Sequence, residues 1–235
     1  MNRLFLNKSI KLIVCDMAGT TVNEGGIVYK TLFNTIKGFD IYIEDDAIKK
    51  WYGANKTEVL QHYINSDVEY RHNETILPQM LDKFKQNLKK SYFEEDNIKL
   101  IDPQLPELFN TFRKNGVKIA LNTGYSIDIQ EGIIKKLEME SFIDGYISSE
   151  DVPNGRPQPY MIQTLMKQFN IDSPNEVIKI GDSMNDILEG KNAKCNMSIG
   201  VLSGAESKEN LLKAGADLVI DSVMDLDSHV NVYFN

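Results

Sequence analysis

Four short stretches of the chain carry side chains whose types and spacing could do chemistry. Asp16-Met17-Ala18-Gly19-Thr20-Thr21-Val22 sets a carboxylate ahead of a glycine turn and two hydroxyls. Such a loop can present Asp16 as a nucleophile while the N–H groups of the turn, at Ala18, Gly19 and Thr20, hold phosphoryl oxygens. Thr123-Gly124 offers a hydroxyl and a free N–H for a second phosphoryl oxygen, and Gly155-Arg156-Pro157 places a cation just before a helix. Gly181-Asp182-Ser183-Met184-Asn185-Asp186 puts two carboxylates four residues apart, one to bind a hard cation and one to support it. Each stretch also has a plainer reading: an Asx turn, an ordinary turn, a surface arginine, and a helix N-terminus that favours acidic residues.

The elements needed to position these groups are legible around them. Ile10 to Cys15 is an apolar run broken only by Lys11, and it ends abruptly at Asp16. Val117 to Leu121 runs likewise into Asn122-Thr123-Gly124, and Val177 to Ile180 into Gly181-Asp182-Ser183. Near-continuous apolar runs of this length read as buried parallel strands. Further strands fit Gly145 to Ser148, Met197 to Val201 and Asp217 to Ile220. Helical spacing joins Leu108, Phe109 and Phe112, then Ile129, Ile133 and Leu137, then Ile162, Leu165, Met166 and Phe169. Strands alternating with helices imply an α/β fold with a doubly wound parallel Rossmann-like sheet, whose ligand crevice lies at the carboxyl ends of the strands. All four stretches fall at or beside those ends, so the plainer readings would have to hold together.

Residues 22–102 interrupt the alternation. Helix-like stretches run from Tyr29 to Lys37, Ile43 to Tyr52, Thr57 to Ile64 and Thr75 to Tyr92, with no clear strand. The expected organisation is a core domain of residues 1–21 and 103–235, with residues 22–102 as an inserted all-helical cap that sits over the strand ends as a lid.

Composition narrows the function. With 235 residues, 42% hydrophobic and 26% charged, the chain can bury a sizeable core and shows no sign of disorder or of membrane embedding. A net charge of −8 repels a phosphate backbone, and the pairs Lys49-Lys50, Lys89-Lys90 and Lys135-Lys136 read as solvated faces, so nucleic acid is not expected as a partner. The apolar run from Leu12 to Cys15 is too short for a signal peptide, and two cysteines do not make a disulfide framework. A cytoplasmic setting with no membrane partner is therefore expected. His62, His72 and His229 lack metal-ligand spacing and read as surface or packing residues. Trp51 and Tyr52, beside Gly53, fit either a cavity wall or helix packing.

The four motifs, in this order over essentially the whole chain, resemble those of the haloacid dehalogenase superfamily. The resemblance implies a Mg²⁺-dependent hydrolase in which Asp16 is the nucleophile, Thr123 and Arg156 handle the phosphoryl group, and Asp182 is a metal ligand with Asp186 behind it. Most phosphatases of the superfamily carry a second aspartate two places after the nucleophile, which contributes general acid–base catalysis of roughly 10²–10⁴-fold. Here that place is Ala18, whose carbonyl can serve only as a metal ligand. The loops Asp16 to Val22, Asn122 to Tyr125 and Gly155 to Tyr160, with Gly190-Lys191-Asn192-Ala193, are similar to the phosphonoacetaldehyde hydrolase (phosphonatase) branch. That branch implies a Schiff base between a cap lysine and the substrate aldehyde, and the matching residue is Lys56. A solvated lysine, or a cap lysine that reads phosphate, fits the same position. Two places depart from the branch: Val59 stands where a histidine is expected, and Glu24-Gly25-Gly26 where a cysteine is expected.

The expected partner is thus a small phosphonate or phosphate ester. The leading activity is C–P hydrolysis of a phosphonoacetaldehyde-type compound through an aspartyl-phosphate. The alternatives are a phosphate monoesterase of the phosphoglycolate phosphatase type and a non-catalytic phosphate- or metal-binding module. Oligomeric state, homodimer included, stays open, and a dehydrogenase is disfavoured because no G-x-G-x-x-G follows the first strand.

Overall fold

The computed structural model describes residues 4–5 and 10–231. Its centre is a six-stranded parallel sheet: β1 (Leu12–Cys15), β2 (Lys118–Thr123), β3 (Gly145–Ser148), β4 (Val177–Gly181), β5 (Met197–Val201) and β6 (Leu218–Ile220). The spatial order is β3-β2-β1-β4-β5-β6, so the winding reverses beside β1. Ligands bind at such a reversal, beyond the carboxyl ends of the strands. Asp16 follows β1 and Asp182 follows β4, the two strands that flank it. An N–H donation from Asp16 to the Ile180 carbonyl at 2.9 Å locks the two ends in register.

Side chains alternate across a strand, and both faces of this sheet are covered. Ile13 and Cys15 face one apolar cluster, with Phe109 and Phe112 of α4 (Leu105–Lys114) and Ile129 and Ile133 of α5 (Ile127–Lys136). Leu12 and Val14 face a second cluster with Met161, Ile162 and Leu165 of α6 (Tyr160–Gln168). This two-sided burial is why β1 and β4 read as unbroken apolar runs. Helices α7 (Met184–Asn192) and α8 (Lys208–Lys213) complete the layers. Cys15 and Cys195 are free thiols, and burial pushes each up to about 12, so both are inert at neutral pH. No described helix is long and apolar enough to cross a membrane.

Between β1 and β2 the chain forms α1 (Ile27–Gly38), α2 (Lys56–Ser66) and α3 (Ile76–Lys89), the last continued by a π turn at Lys90–Glu94. The first apolar cluster runs on into these helices through Val28, Leu32, Leu60, Met80 and Phe84. Two expectations are corrected here. Residues 22–102 do contain strands, since Val22–Asn23 pairs antiparallel with Lys99–Leu100 and brings the chain out and back as one ribbon. Two residues per strand are too few to leave a period in the sequence. The stretch from Ile43 to Tyr52 is turns and a single 3₁₀ turn at Lys49–Trp51 instead of a helix. Its buried residues Ile43 and Ile48 are not at helical spacing, and Asp45 and Asp46 face water.

Candidate active site

The floor of the site is a buried ionic network at the ends of β1, β2 and β4. Arg156 Nη1 lies 2.6 Å from Asp16 Oδ1 and 2.9 Å from Asp186 Oδ1, and Nε lies 3.0 Å from Glu189 Oε2. Its Nη2 donates to the Asn122 carbonyl at 2.8 Å and to Asn122 Oδ1 at 2.6 Å. Lys179, in the middle of β4, reaches Asn122 Oδ1 at 2.6 Å and Asp186 Oδ1 at 2.9 Å, and Asn122 Nδ2 donates to both oxygens of Glu189. Four of the five arginine N–H groups donate hydrogen bonds to Asp16, Glu189 and Asn122, and Nη1 also lies in ion-pair contact with Asp186 Oδ1. Arg156 therefore holds and aims Asp16. The expectation that it offers an N–H to a phosphoryl group is left with the one Nη1 N–H that makes no hydrogen bond.

Asp16, Asp182 and Asp186 place one carboxylate oxygen each within 4.8 Å of one another. The sequence folds them together through the turns. Gly19 has a left-handed φ of 79°, and a Cβ there would stand 2.7 Å from Asp182 Oδ2, so only glycine lets the Asp16 loop approach β4 this closely. Ser183 and Asp186 form a reciprocal cap on α7, which fixes Asp186 Oδ2, while its Oδ1 faces Arg156 and Lys179. Asp182 Oδ2 accepts only the Ala205 N–H, at 2.7 Å. Asp16 Oδ2 accepts no hydrogen bond among the described residues.

The charges divide accordingly. Burial pushes Asp186 up, but Arg156 and then Lys179 outweigh it and hold this carboxyl below the usual range. Burial raises Asp16 to about 6 even with Arg156 alongside. Asp182 is driven well above the carboxylate range by burial and then by the like charges of Asp16 and Asp186. Asp16, Asp182, Asp186 and Glu189 are four buried carboxylates against two buried cations, Arg156 and Lys179. The two carboxyls in excess meet at Asp16 and Asp182, the pair whose titration is pushed upward, and a divalent cation with oxygen ligands fits that donor set.

The turn itself uses part of its donor set. Gly19 N–H donates to the Val22 carbonyl, and Thr20 and Thr21 N–H to that of Met17. The Gly19 and Thr20 N–H groups are thus unavailable to a phosphoryl oxygen, contrary to expectation, because the turn closes on itself. The N–H of Ala18 has no acceptor among the described residues, and the fully buried Thr20 hydroxyl has no partner. Thr123 Oγ1 accepts the Tyr125 N–H at 3.2 Å, and among the described residues its proton and the N–H of Gly124 have no acceptor.

The roof comes from α1, α2 and the loop before α2. Asn55 caps α2 by accepting from Thr57 N–H at 2.8 Å and ties it to the core by donating to Ser149 Oγ at 2.9 Å. This fixes Lys56, the first residue of α2, as a buried amine. Its Nζ donates to the Ala54 carbonyl at 2.7 Å and lies 5.0 Å from the centre of the Tyr29 ring. Burial lowers the amine to about 8, against the opposing pull of Asp16. Gly53, at φ 74°, lies against Ser183, and a side chain there would overlap it. Asn185 Nδ2 donates to the Tyr52 carbonyl at 2.6 Å. Ala18, Gly19, Tyr29, Tyr52, Asp182 and Gly204 are among the walls of a cavity of about 270 Å³ between roof and floor. Tyr52 lines it, whereas Trp51 packs against His62, their rings 4.9 Å apart. The side chain of His229 lies outside the described residues.

Several residues here went unread in the sequence. Lys179 and Glu189 fall in none of the four motifs, although a lysine inside a strand buried on both faces is a signal in itself, since an unpaired charge cannot stay there. Asn122 was read as loop. Glu24 is buried, accepts from Gly26 N–H, Val28 N–H and Tyr92 OH, and Tyr92 meets Tyr125 OH at 2.8 Å. That chain joins the ribbon, the end of α3 and the loop after β2, and no spacing rule could have found it.

Residues 13–200 match the family model described as haloacid dehalogenase-like hydrolase. A phosphonoacetaldehyde hydrolase of Parabacteroides distasonis is 26% identical over 264 aligned positions, covering 93% of this chain and 95% of the relative. One from Bacillus mycoides is 29% identical, covering 83% and 77%. Among solved structures, a phosphonoacetaldehyde hydrolase-like protein from Oleispira antarctica superposes with a TM-score of 0.80 at 22% identity, over 97% of this chain and 94% of the other. A protein described as a predicted phosphoglycolate phosphatase from Haemophilus somnus gives 0.72 at 19% identity, over 94% and 98%. At those identities the superpositions carry the fold alone. The reversal of the sheet beside β1, the clustered carboxylates at its strand ends and the family match over most of the chain lead to one conclusion: this protein belongs to the haloacid dehalogenase-like hydrolase family.

Proposed function

We propose that the chain hydrolyses the C–P bond of a small phosphonoacetaldehyde-type compound with Mg²⁺, through an aspartyl-phosphate on Asp16. Residues 22–102 act as a cap domain over a core of residues 1–21 and 103–235. The observation that carries this reading is the pairing of Ala18, which has no acid to give a leaving group, with Lys56, a buried cap amine lowered to about 8. The names of the curated relatives and the motif match support the same choice of substrate.

Asp16, the Ala18 carbonyl and Asp182 would hold the cation, with Asp186 and its ion pairs behind them. When bound, Mg²⁺ supplies charge neutralisation for the phosphoryl oxygens and for the nucleophile. Arg156 fixes Asp16 through Oδ1 and leaves Oδ2 for the phosphorus atom. The Thr123 hydroxyl, the Gly124 N–H, the Ala18 N–H and the Thr20 hydroxyl bind phosphoryl oxygens. The neutral amine of Lys56 adds to the aldehyde carbon and water is lost, giving an iminium. Asp16 then attacks phosphorus, the C–P bond breaks, and its electron pair enters the iminium to give an enamine. Protonation and hydrolysis of the enamine return Lys56 and release the aldehyde, and water cleaves the aspartyl-phosphate.

Incubation with phosphonoacetaldehyde and borohydride, followed by peptide mass spectrometry, tests this. A reduced adduct on Lys56 is expected, together with Mg²⁺-dependent release of phosphate. Turnover without an adduct would assign Lys56 to phosphate reading. The second reading, a phosphatase of the phosphoglycolate type, draws on one observation: Lys56 donates to Ala54 and sits over the Tyr29 ring, contacts that favour an ammonium. Faster hydrolysis of 2-phosphoglycolate than of phosphonoacetaldehyde would select it.

A further inference from the structure

We propose that the Tyr29 hydroxyl is the hydrogen-bond donor for the oxygen on the carbon side of the substrate, whether a carbonyl or a leaving-group oxygen. The inference rests on the hydrolytic reading above and deepens it by naming what recognises that half of the substrate. Neither Ala18, beside the nucleophile, nor Val59, one turn beyond Lys56, carries a protic side chain. The carbon end of the substrate therefore needs a donor from elsewhere in the cavity.

Tyr29 is placed to provide it. It stands on α1 and lines the same cavity as Asp182, Ala18 and Gly19. The Gly53 N–H donates to its hydroxyl oxygen at 2.8 Å, which anchors the oxygen on the roof loop and uses one lone pair. Among the described residues the hydroxyl proton has no acceptor of its own. The ring cannot swing away, because the Tyr52 ring is tilted against it with centres 4.4 Å apart and the Lys56 amine lies 5.0 Å from its centre. A carbon joined to the Lys56 amine thus stands beside the ring of a held phenol with an unspent proton. A fixed donor aimed where negative charge develops needs no reorganisation during the reaction. Tyr29 assists by donating a hydrogen bond, and no bond to it is made or broken. The Gly53 contact explains why the residue is tyrosine and not a smaller hydroxyl: the ring spans from α1 to the loop ahead of α2.

The test is Tyr29→Phe, read on three substrates with Mg²⁺. Turnover of phosphonoacetaldehyde and of an alkyl phosphate such as 2-phosphoglycolate should fall by roughly 10²–10³-fold. Hydrolysis of p-nitrophenyl phosphate, whose leaving group departs as a stabilised anion, should fall far less, and inhibition by inorganic phosphate should hardly change. A purely structural role would lower all three substrates alike and weaken phosphate inhibition, and either result overturns the proposal. If the wild type cleaves esters but no phosphonate, the C–P reading fails while the contrast between alkyl and p-nitrophenyl ester still decides the role of Tyr29. A protein inert toward all three substrates defeats both.

Discussion

The floor and the roof of the cavity are built differently. At the strand ends, Asp16, Arg156, Lys179, Asp186, Glu189 and Asn122 constrain one another, and nearly every oxygen and N–H in the group is engaged by another member. The roof holds its polar groups by few contacts: Lys56 by the Ala54 carbonyl, Tyr29 by the Gly53 N–H, Tyr52 through its own backbone carbonyl. A network that closes on itself fixes geometry tightly and suits the displacement proposed for Asp16. Single contacts on a helical insertion can change one residue at a time without disturbing that step. Val59 lies on α2 and the stretch Glu24-Gly25-Gly26 just ahead of α1, the two places where the phosphonatase pattern differs. On the proposed function, choice of substrate falls to the roof.

The largest expected effect breaks the floor. Asp16→Asn should lower turnover by roughly 10⁵-fold or more on every substrate, with an unchanged far-ultraviolet circular dichroism spectrum. Residual activity near that of the wild type would remove Asp16 as nucleophile.

The roof should break selectively. Lys56→Arg should abolish phosphonoacetaldehyde turnover while hydrolysis of p-nitrophenyl phosphate persists, and parallel losses would contradict the division. The amine attacks only when neutral, so the rate of borohydride trapping in the wild type should climb as pH rises through about 8 and level off above it. Because the folded amine lies below its unfolded value, the unfolded chain binds the extra proton between about 8 and the ordinary lysine range. Stability from this group therefore increases with pH across that window.

Within the floor, the carboxylates should separate. Asp182→Asn relieves repulsion with Asp16 and Asp186, so the metal-free protein should melt higher and lose its stabilisation by Mg²⁺. Asp186→Ala strands Arg156 and Lys179 and should lower the melting temperature by ~10 °C, on the usual cost of breaking a buried ion pair. It should also weaken Mg²⁺ binding by roughly 10–100-fold. Equal, small effects at both positions in calorimetry would refute the assignment.

Two smaller effects sharpen the contrast. Binding of Mg²⁺ with a phosphate analogue should slow hydrogen exchange in α1, α2 and the loop ahead of α2, and leave β1 and β4 unchanged. No change in the cap would mean that it does not open. Ala18→Asp should modestly raise phosphate-ester hydrolysis and leave aldehyde trapping on Lys56 intact; if ester hydrolysis falls, the missing acid is not what limits that reaction.

The sequence by itself determined the sheet and the residues at its strand ends. Burial on both faces forces apolar runs, and a run that stops at Asp16 or Asp182 shows where a strand meets water. Helix α2 was legible over Thr57 to Ile64 because a periodic face is a local feature. Only the tertiary structure decided what those residues do to one another. Arg156 reads in the sequence as a cation before a helix, and only the fold shows it hydrogen-bonded to Asp16, Glu189 and Asn122 at once. Lys179 looked like part of an apolar strand until its partners came from β2 and α7. Tyr29 looked like one more aromatic on a cap helix until the Gly53 N–H and the Lys56 amine met it. Spacing along a chain records which face of an element a residue occupies, whereas ionic and hydrogen-bonded pairing depends on distances between elements far apart in sequence, and these exist only after folding.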